Sequence, residues 1–370
     1  MRAPARVGIV GCGVISHTYA KGAAAFDTFE IVACADLDDA RRDAVAAEYA
    51  LEPMTVAELL ESPSIDIVLN LTPPRAHADV TRAALRAGKH VYSEKPLAIT
   101  SGDAGDLVRV AESHGKRIGC APDIFLGSAY QAGRRLLEEG AIGEPLAASA
   151  AMLSGGQERW HPDPDTFFMN GAGPLLDMGP YYLTPIVALL GHVRSAAGFA
   201  STLVSERRIE IGPRAGERFT AETPTHTAAL LQLSGGRTAG LVATFEAPGH
   251  YASTLLIHGS EGELALPDPN QFGGTVRVRR NRGDWEDVPY TSASPRDVRG
   301  LGLDDLVQAI HAGRPHGASA ELAAHVVDVA TSILEACERG SVVSIEPVDG
   351  ATAAPPMRMA LGGDGDGVAA

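Results

Sequence analysis

Short apolar runs alternate with amphipathic stretches through the first third of the chain. Arg6–Val10, Glu30–Ala35, Ile65–Leu71, His90–Ser93 and Arg117–Cys120 read as buried strands. Between them, Val14–Ala25, Leu37–Tyr49, Arg75–Ala87 and Gly102–His114 carry apolar positions at helical spacing. Strands alternating with helices in this way predict a parallel sheet covered on both faces. A helix over Ser128–Glu139 leads into a different rhythm. Pro145–Leu153, Val193–Val204, His226–Leu233, Thr238–Phe245 and Thr254–Gly259 show partial period-two alternation, punctuated by turn signals such as Ser234-Gly235-Gly236 and Glu261-Gly262. They predict an open, mostly antiparallel sheet with one covered face. Leu303–His311 and Ala320–Glu338 are expected to pack on it as helices.

The first strand runs into a tight glycine turn and a helix start, Val7-Gly8-Ile9-Val10-Gly11-Cys12-Gly13-Val14-Ile15-Ser16. Gly11 supplies a backbone conformation costly for other residues, and Gly13 lets a pyrophosphate approach the main chain. The helix start at Val14 and Ile15 offers unpaired N–H groups and a positive dipole end. The second strand ends in Asp36, which is placed to accept hydrogen bonds from an adenosine ribose. It also precedes a helix, where it could serve as a cap, although Asp38 and Asp39 are available for that role. Leu37 brings no cation for a 2′-phosphate, and Arg41 and Arg42 lie further along the helix. NAD is therefore expected in preference to NADP. The organisation that follows is an α/β Rossmann domain at 1–121, an α+β domain for substrate binding and oligomerisation at 122–347, and a flexible tail at 348–370.

Composition narrows the partners. A formal net charge of −15 opposes nucleic acid and anionic membrane surfaces. No apolar run reaches the ~20 residues of a membrane span. Met1–Arg6 leads straight into a strand without a signal-peptide hydrophobic region, so a cytoplasmic location is expected. Cys12, Cys34, Cys120 and Cys337 are scattered without a CxxC pair, and the histidines lack HExxH spacing. Neither a disulfide framework nor a metal is expected.

Three further motifs make the pattern specific. Asn70-Leu71-Thr72-Pro73-Pro74-Arg75-Ala76-His77 follows the third strand, and Ser93-Glu94-Lys95-Pro96 follows the fourth. Gly171-Ala172-Gly173-Pro174-Leu175-Leu176-Asp177-Met178-Gly179-Pro180-Tyr181-Tyr182 lies in the second domain. With the glycine loop and Gly140-Ala141-Ile142-Gly143-Glu144-Pro145, these strongly resemble the Gfo/Idh/MocA oxidoreductase family over about residues 5–345. The resemblance implies an active site between the two domains, a substrate-facing Lys95 and a cis bond before Pro96. It also implies that Thr72, Pro73 and Glu94 line the nicotinamide side, with His77 a candidate contact, and that subunits pair through the second-domain sheet as a homodimer or homotetramer. Histidine is frequent in this family at the position of Tyr181, so this chain departs from the pattern there.

The chemistry expected is hydride transfer between NAD(H) and a carbinol or carbonyl carbon of a sugar, glycoside or cyclitol. Asp177 and Tyr181 are four residues apart in what reads as one helix start, which would put them on one face. Tyr181 is assigned as acid/base, its pKa lowered by a nearby ammonium; Lys95 polarises the substrate oxygen, and Asp177 orients Lys95. The reverse assignment, with Lys95 moving the proton, stays open. Tyr182 points away and is expected to pack. His161, in the loop Arg159-Trp160-His161-Pro162, is a candidate substrate contact. Two other readings share the scaffold: an NAD-dependent glycoside hydrolase using transient oxidation, and a non-catalytic nucleotide-binding regulator.

Overall fold

The apolar runs of the first third pair side by side because each is buried on both faces. In a computed structural model, which describes residues 3–247, 252–293 and 295–346, they form a parallel sheet. Its strands are β1 (Ala5–Val10), β2 (Phe29–Ala35), β3 (Glu52–Met54), β4 (Ile67–Asn70), β5 (His90–Ser93) and β6 (Ile118–Cys120), in the order β3-β2-β1-β4-β5-β6. The crossover helices are α1 (Val14–Ala23), α2 (Asp39–Tyr49), α3 (Val56–Glu61), α4 (Pro74–Arg86) and α5 (Ser101–Ser113). The strand order reverses between β1 and β4, which opens a crevice beyond their carboxyl ends, the usual ligand position in such sheets. The short β3 and α3 were not anticipated; Glu52-Pro53-Met54 is too short and too polar to alternate.

After α6 (Ser128–Glu138) the chain builds a nine-stranded sheet. Its central strands are β7 (Pro145–Leu153), β8 (Val193–Ser201), β11 (His226–Leu233), β12 (Thr238–Thr244) and β13 (Ala252–Gly259), extended at one side by β14 (Gly262–Leu266), β15 (Val276–Arg280) and β16 (Glu286–Val288). The order is β16-β15-β14-β13-β7-β12-β11-β8-β17, with β17 at Val343–Ser344, and the β7–β12 pair alone among the described neighbours is parallel. Inward positions such as Ala150, Leu231, Leu241, Leu255 and Ile257 are buried, and α7 (Gly173–Asp177), α8 (Gly179–Leu190) and α10 (Ala320–Arg339) pack on β7, β8, β11 and β12. A separate hairpin, β9 (Glu206–Arg208) and β10 (Arg218–Thr220), stands apart from both sheets.

Two late helices tie the halves together. α10 packs on α5 of the first unit as well as on β8 and α8, and Ser101 Oγ and Thr331 Oγ1 share a hydrogen bond of 2.6 Å. α9 (Leu301–Ala312) begins at Gly300 and docks near β6. The expected tail, 348–370, lies outside the described residues.

Candidate active site

Gly11 has φ +103°, and a Cβ there would lie 2.7 Å from the Leu71 carbonyl, so only glycine lets β1 turn beside the end of β4. A Cβ at Gly13 would meet nothing within 4 Å. That open side faces the start of α1, where Gly13 is the N-cap and no side chain caps the free N–H groups. Asp36 is fixed at both oxygens, accepting from Cys12 N at 2.7 Å and from Asp38 N at 2.9 Å. Asp38, not Asp36, caps α2 through Ala40 N and Arg41 N. Val14, at the start of α1, and Leu37, next to Asp36, are 81% and 95% exposed. Apolar side chains left that open beside a glycine cradle, a bare helix start and an oriented carboxylate fit the adenosine end of NAD.

The loop after β4 is held from below. Asn70, fully buried, donates to His77 O and Thr81 Oγ1 and accepts from Thr72 Oγ1 at 2.6 Å. Thr72 stays half-buried and Pro73 exposed to solvent. His77 is 1% exposed, with Nδ1 2.6 Å from Pro96 O and Nε2 2.6 Å from Thr72 O. Burial holds its pKa below the ordinary range, so the neutral ring donates through one nitrogen at a time. The expectation that His77 contacts cofactor or substrate is corrected: the ring is enclosed between two main-chain carbonyls and staples the Thr72 loop to the Lys95 loop.

Lys95 and Pro96 are joined by a cis bond. Lys95 Nζ donates to Asp177 Oδ1 at 2.7 Å and to Asp177 O at 2.6 Å. Burial disfavours the ammonium, but the carboxylate of Asp177, with Tyr181 and Glu94, outweighs it and raises the lysine pKa. Glu94 is itself engaged by Tyr19 OH at 3.0 Å and by Lys95 N at 3.1 Å. Asp177 and Tyr181 do not share one helix, which corrects the single-helix expectation. Asp177 closes α7, Met178 breaks the run, and Tyr181 sits in the first turn of α8. Lys95 spans the break, its Nζ 5.1 Å from the Tyr181 ring centroid. Tyr182 is fully buried and packs.

The electrostatics of Tyr181 also differ from expectation. Burial pushes the phenol above the ordinary tyrosine range, and the Lys95 and Arg299 cations pull it down without cancelling that. Of the two cations the Lys95 ammonium, 5.1 Å from the ring centroid, has the larger lowering influence, yet burial still prevails.

Two residues that the motifs did not single out join this cluster. Gln157 Nε2 donates to Asp177 Oδ2 at 3.1 Å, and Arg299 Nη2 donates to Tyr181 OH at 3.2 Å. Neither has a local signature beyond a glycine on its flank, Gly156 and Gly300 respectively. His161 accepts from Asp163 N and packs with Trp160 and Phe167 at centroid distances of 5.4 and 5.1 Å. From this loop, it is Gln157 that reaches Asp177.

Comparison with known proteins places this geometry. Residues 5–121 match the model of the oxidoreductase family with an NAD-binding Rossmann fold, and residues 130–265 match the GFO/IDH/MocA C-terminal domain. The chain is 30% identical over 293 residues to a dTDP-3,4-didehydro-2,6-dideoxy-alpha-D-glucose 3-reductase from Streptomyces violaceoruber, covering 76% of this chain and 80% of that one. It is 26% identical to a 1,5-anhydro-D-fructose reductase from Ensifer adhaerens, covering 92% of this chain and 98% of that one. Among solved structures, levoglucosan dehydrogenase in complex with NADH and L-sorbose shares the fold, with a TM-score of 0.81, 21% identity and coverage of 93% and 100%.

Proposed function

Because the chain belongs to the Gfo/Idh/MocA oxidoreductase family, we propose that it is an NAD(H)-dependent dehydrogenase or reductase acting on a sugar, glycoside or cyclitol. The reacting carbon is a secondary carbinol or its ketone. The observation that carries this reading is the meeting of Lys95, Asp177 and Tyr181 beyond the carboxyl edge of the parallel sheet. NAD, when bound, supplies the hydride acceptor or donor. Gly11, Gly13, Val14 and Ile15 would hold its pyrophosphate and Asp36 its adenosine ribose. Thr72, Pro73 and Glu94 would lie along the nicotinamide side.

The residues divide the remaining work. An ammonium has three N–H donors. Asp177 engages two of those on Lys95, and the third is left for the substrate oxygen. Tyr181 moves the proton: the neutral phenol donates to that oxygen during reduction, and the phenolate accepts during oxidation. Since the phenol titrates above its usual range, it stands loaded as an acid at neutral pH. Gln157 fixes the second oxygen of Asp177, leaving that carboxylate oriented toward Lys95. Sugar-directed relatives support the substrate class, and His161 beside the exposed Trp160 is assigned to hold a ring or hydroxyl at the mouth of the site.

Assembly and location complete the proposal. The outward face of the nine-stranded sheet carries Phe199 and Leu230, 83% and 70% exposed, among small residues such as Ala228 and Gly240. A second copy would cover that face in a homodimer, or twice over in a homotetramer. Sedimentation should show no monomer at micromolar concentration; a monomer alone would remove the assembly claim. Among the described residues no helix is long and apolar enough to cross a membrane. All four cysteines are unbridged, which accords with a reducing, cytoplasmic compartment. The decisive experiment is a panel of sugars, glycosides and inositols with NAD, and of their ketones with NADH, followed at the nicotinamide absorbance. Turnover on at least one polyol is expected; stoichiometric NAD binding with no turnover on the panel would overturn the assignment.

A further inference from the structure

Arg299 lies 118 residues beyond Tyr181 in the sequence, yet its guanidinium touches the phenol oxygen. Nη1 donates to Asp123 Oδ1 at 3.1 Å, and Nη2 donates to Tyr181 OH at 3.2 Å and to Asn270 Oδ1 at 3.3 Å. Its Cζ stands 5.5 Å from the Tyr181 ring centroid, so the ring has two cations beside it, this one and Lys95. The arginine side chain is 12% exposed and Asp123 is fully buried, so the charge is paired where water does not screen it.

The segment that carries Arg299 is pinned to the first unit of the fold. A Cβ at Gly22 would collide with the Arg299 carbonyl oxygen, so α1 needs glycine there to let the segment close on it. Arg296 lies over the Phe26 ring at 5.6 Å, and Asp304, 1% exposed, accepts from Thr28 Oγ1 at 2.6 Å. Asp123 uses its other oxygen to accept from Gly302 N at the start of α9. The segment is therefore fixed on either side of Arg299, and Asp123 and Asn270 hold the guanidinium itself against the phenol.

Donor chemistry gives the contact a direction. A guanidinium has five N–H donors and no acceptor, so at this contact the phenol oxygen must accept. The phenolic hydrogen is then free to point elsewhere. A carboxylate in the same place would have consumed it.

We propose that Arg299 is a positioning residue of the reaction: it fixes the Tyr181 oxygen, leaves the phenolic hydrogen for the substrate and stabilises the phenolate left after transfer. This rests on Tyr181 being the proton-transfer group. The cation acts against the burial that raises the phenol, in agreement with the direction of its influence there.

The test uses the full-length holoenzyme with Arg299→Met, Arg299→Lys and Tyr181→Phe. A hydrogen bond to a charged group contributes roughly 1.5–3 kcal/mol, so Arg299→Met should lower kcat about 10–100-fold with substrate KM and NADH affinity within about twofold. The limb of the pH–rate profile that Tyr181→Phe abolishes should move up by about one unit or more in Arg299→Met. Arg299→Lys keeps the charge but not the planar fork, so it should move the limb less and recover part of the rate. An ultraviolet tyrosinate titration of the free protein, with the Tyr181→Phe curve subtracted, should shift in the same direction. Should Arg299→Met fail to fold, Arg299→Lys carries the same readouts. A limb and tyrosinate component that stay at their wild-type positions overturn the proposal even if kcat falls, because Arg299 is then a strut. If Tyr181→Phe abolishes no limb, the assignment of Tyr181 fails first, and this proposal fails with it.

Discussion

The cofactor cradle is assembled within one β–α–β passage, in which Gly11, Gly13, the start of α1 and Asp36 all follow from β1, its turn and β2. The proton-transfer cluster is assembled from four distant stretches: Lys95 after β5, Gln157 after β7, Asp177 and Tyr181 across the α7–α8 break, and Arg299 before α9. The difference lies in what each must do. Phosphate and ribose recognition needs backbone N–H groups and one carboxylate, which a single turn can present. Proton transfer at a substrate oxygen needs charges of opposite sign held in a partly dry space, and such charges must be brought together by tertiary packing.

If the two regions are separable, substitutions should separate them. The largest effects belong to the dispersed cluster. Tyr181→Phe keeps the buried ring and removes the only titrating atom, and general acid–base loss is typically about 10²–10⁴ in rate. Lys95→Met should be at least as damaging, since it also strands the Asp177 carboxylate at 15% exposure. The double variant should lose less than the product of the two, because the groups act as a unit. Steady-state kinetics should put these losses in kcat, with NADH affinity nearly intact.

Next comes Gly11→Ala in the cradle. A methyl group there meets the Leu71 carbonyl at 2.7 Å, and alanine is strained at φ +103°. Backbone strain of about 1–3 kcal/mol, with displacement of the turn, should lower both NADH affinity, measured by fluorescence titration, and thermal stability. Chemistry at saturating NADH should survive largely unchanged. Loss of kcat with intact NADH binding would break the comparison from the other side.

Asp36→Ala should have the smallest effect and the sharpest meaning. The carboxylate that would meet the adenosine ribose is also the one that would repel a 2′-phosphate, so NAD should bind more tightly than NADP in the wild type. The variant should narrow that gap by about tenfold, the worth of a hydrogen bond to a charged acceptor. Its two backbone donors, Cys12 N and Asp38 N, lose their acceptor as well, so a modest fall in stability accompanies the change. Competitive titration that finds NADP tighter in the wild type would remove the assignment of Asp36.

The same contrast governs what could be read before folding. β1, β2, β5, α1 and α5 were legible to within a few residues because strands buried on both faces are continuous apolar runs and the glycine turn marks their end. In the second sheet, Pro145–Leu153 and His226–Leu233 were found from partial alternation bounded by turn signals. Val276–Arg280 was passed over although its Val-Arg-Val-Arg alternation, with the valines buried and the arginines outward, obeys the same rule. Lys95, Asp177 and Tyr181 were visible through motifs. The break at Met178 was not, since Pro180 falls in the first turns of the single helix expected there, where proline is tolerated. Gln157 and Arg299 act through side chains that reach a partner far along the chain, and no local pattern encodes that reach. The sign of the Tyr181 shift was misjudged for a related reason: its depth of burial, unlike the presence of a lysine, is a property of the packed structure.

The central claim is that Tyr181 exchanges the proton while the cradle only holds the cofactor. Single-turnover hydride transfer, followed from pH 6 to 11 in both directions with wild type and Tyr181→Phe, tests it most directly. In the wild type, oxidation should accelerate as pH rises toward the phenol's pKa, because only the phenolate accepts a proton. Reduction should slow over the same range, because only the neutral phenol donates. Tyr181→Phe should lose about 10²–10⁴ in both directions and both limbs, with NADH affinity unchanged. A variant that keeps most of its hydride-transfer rate and both limbs would contradict the account.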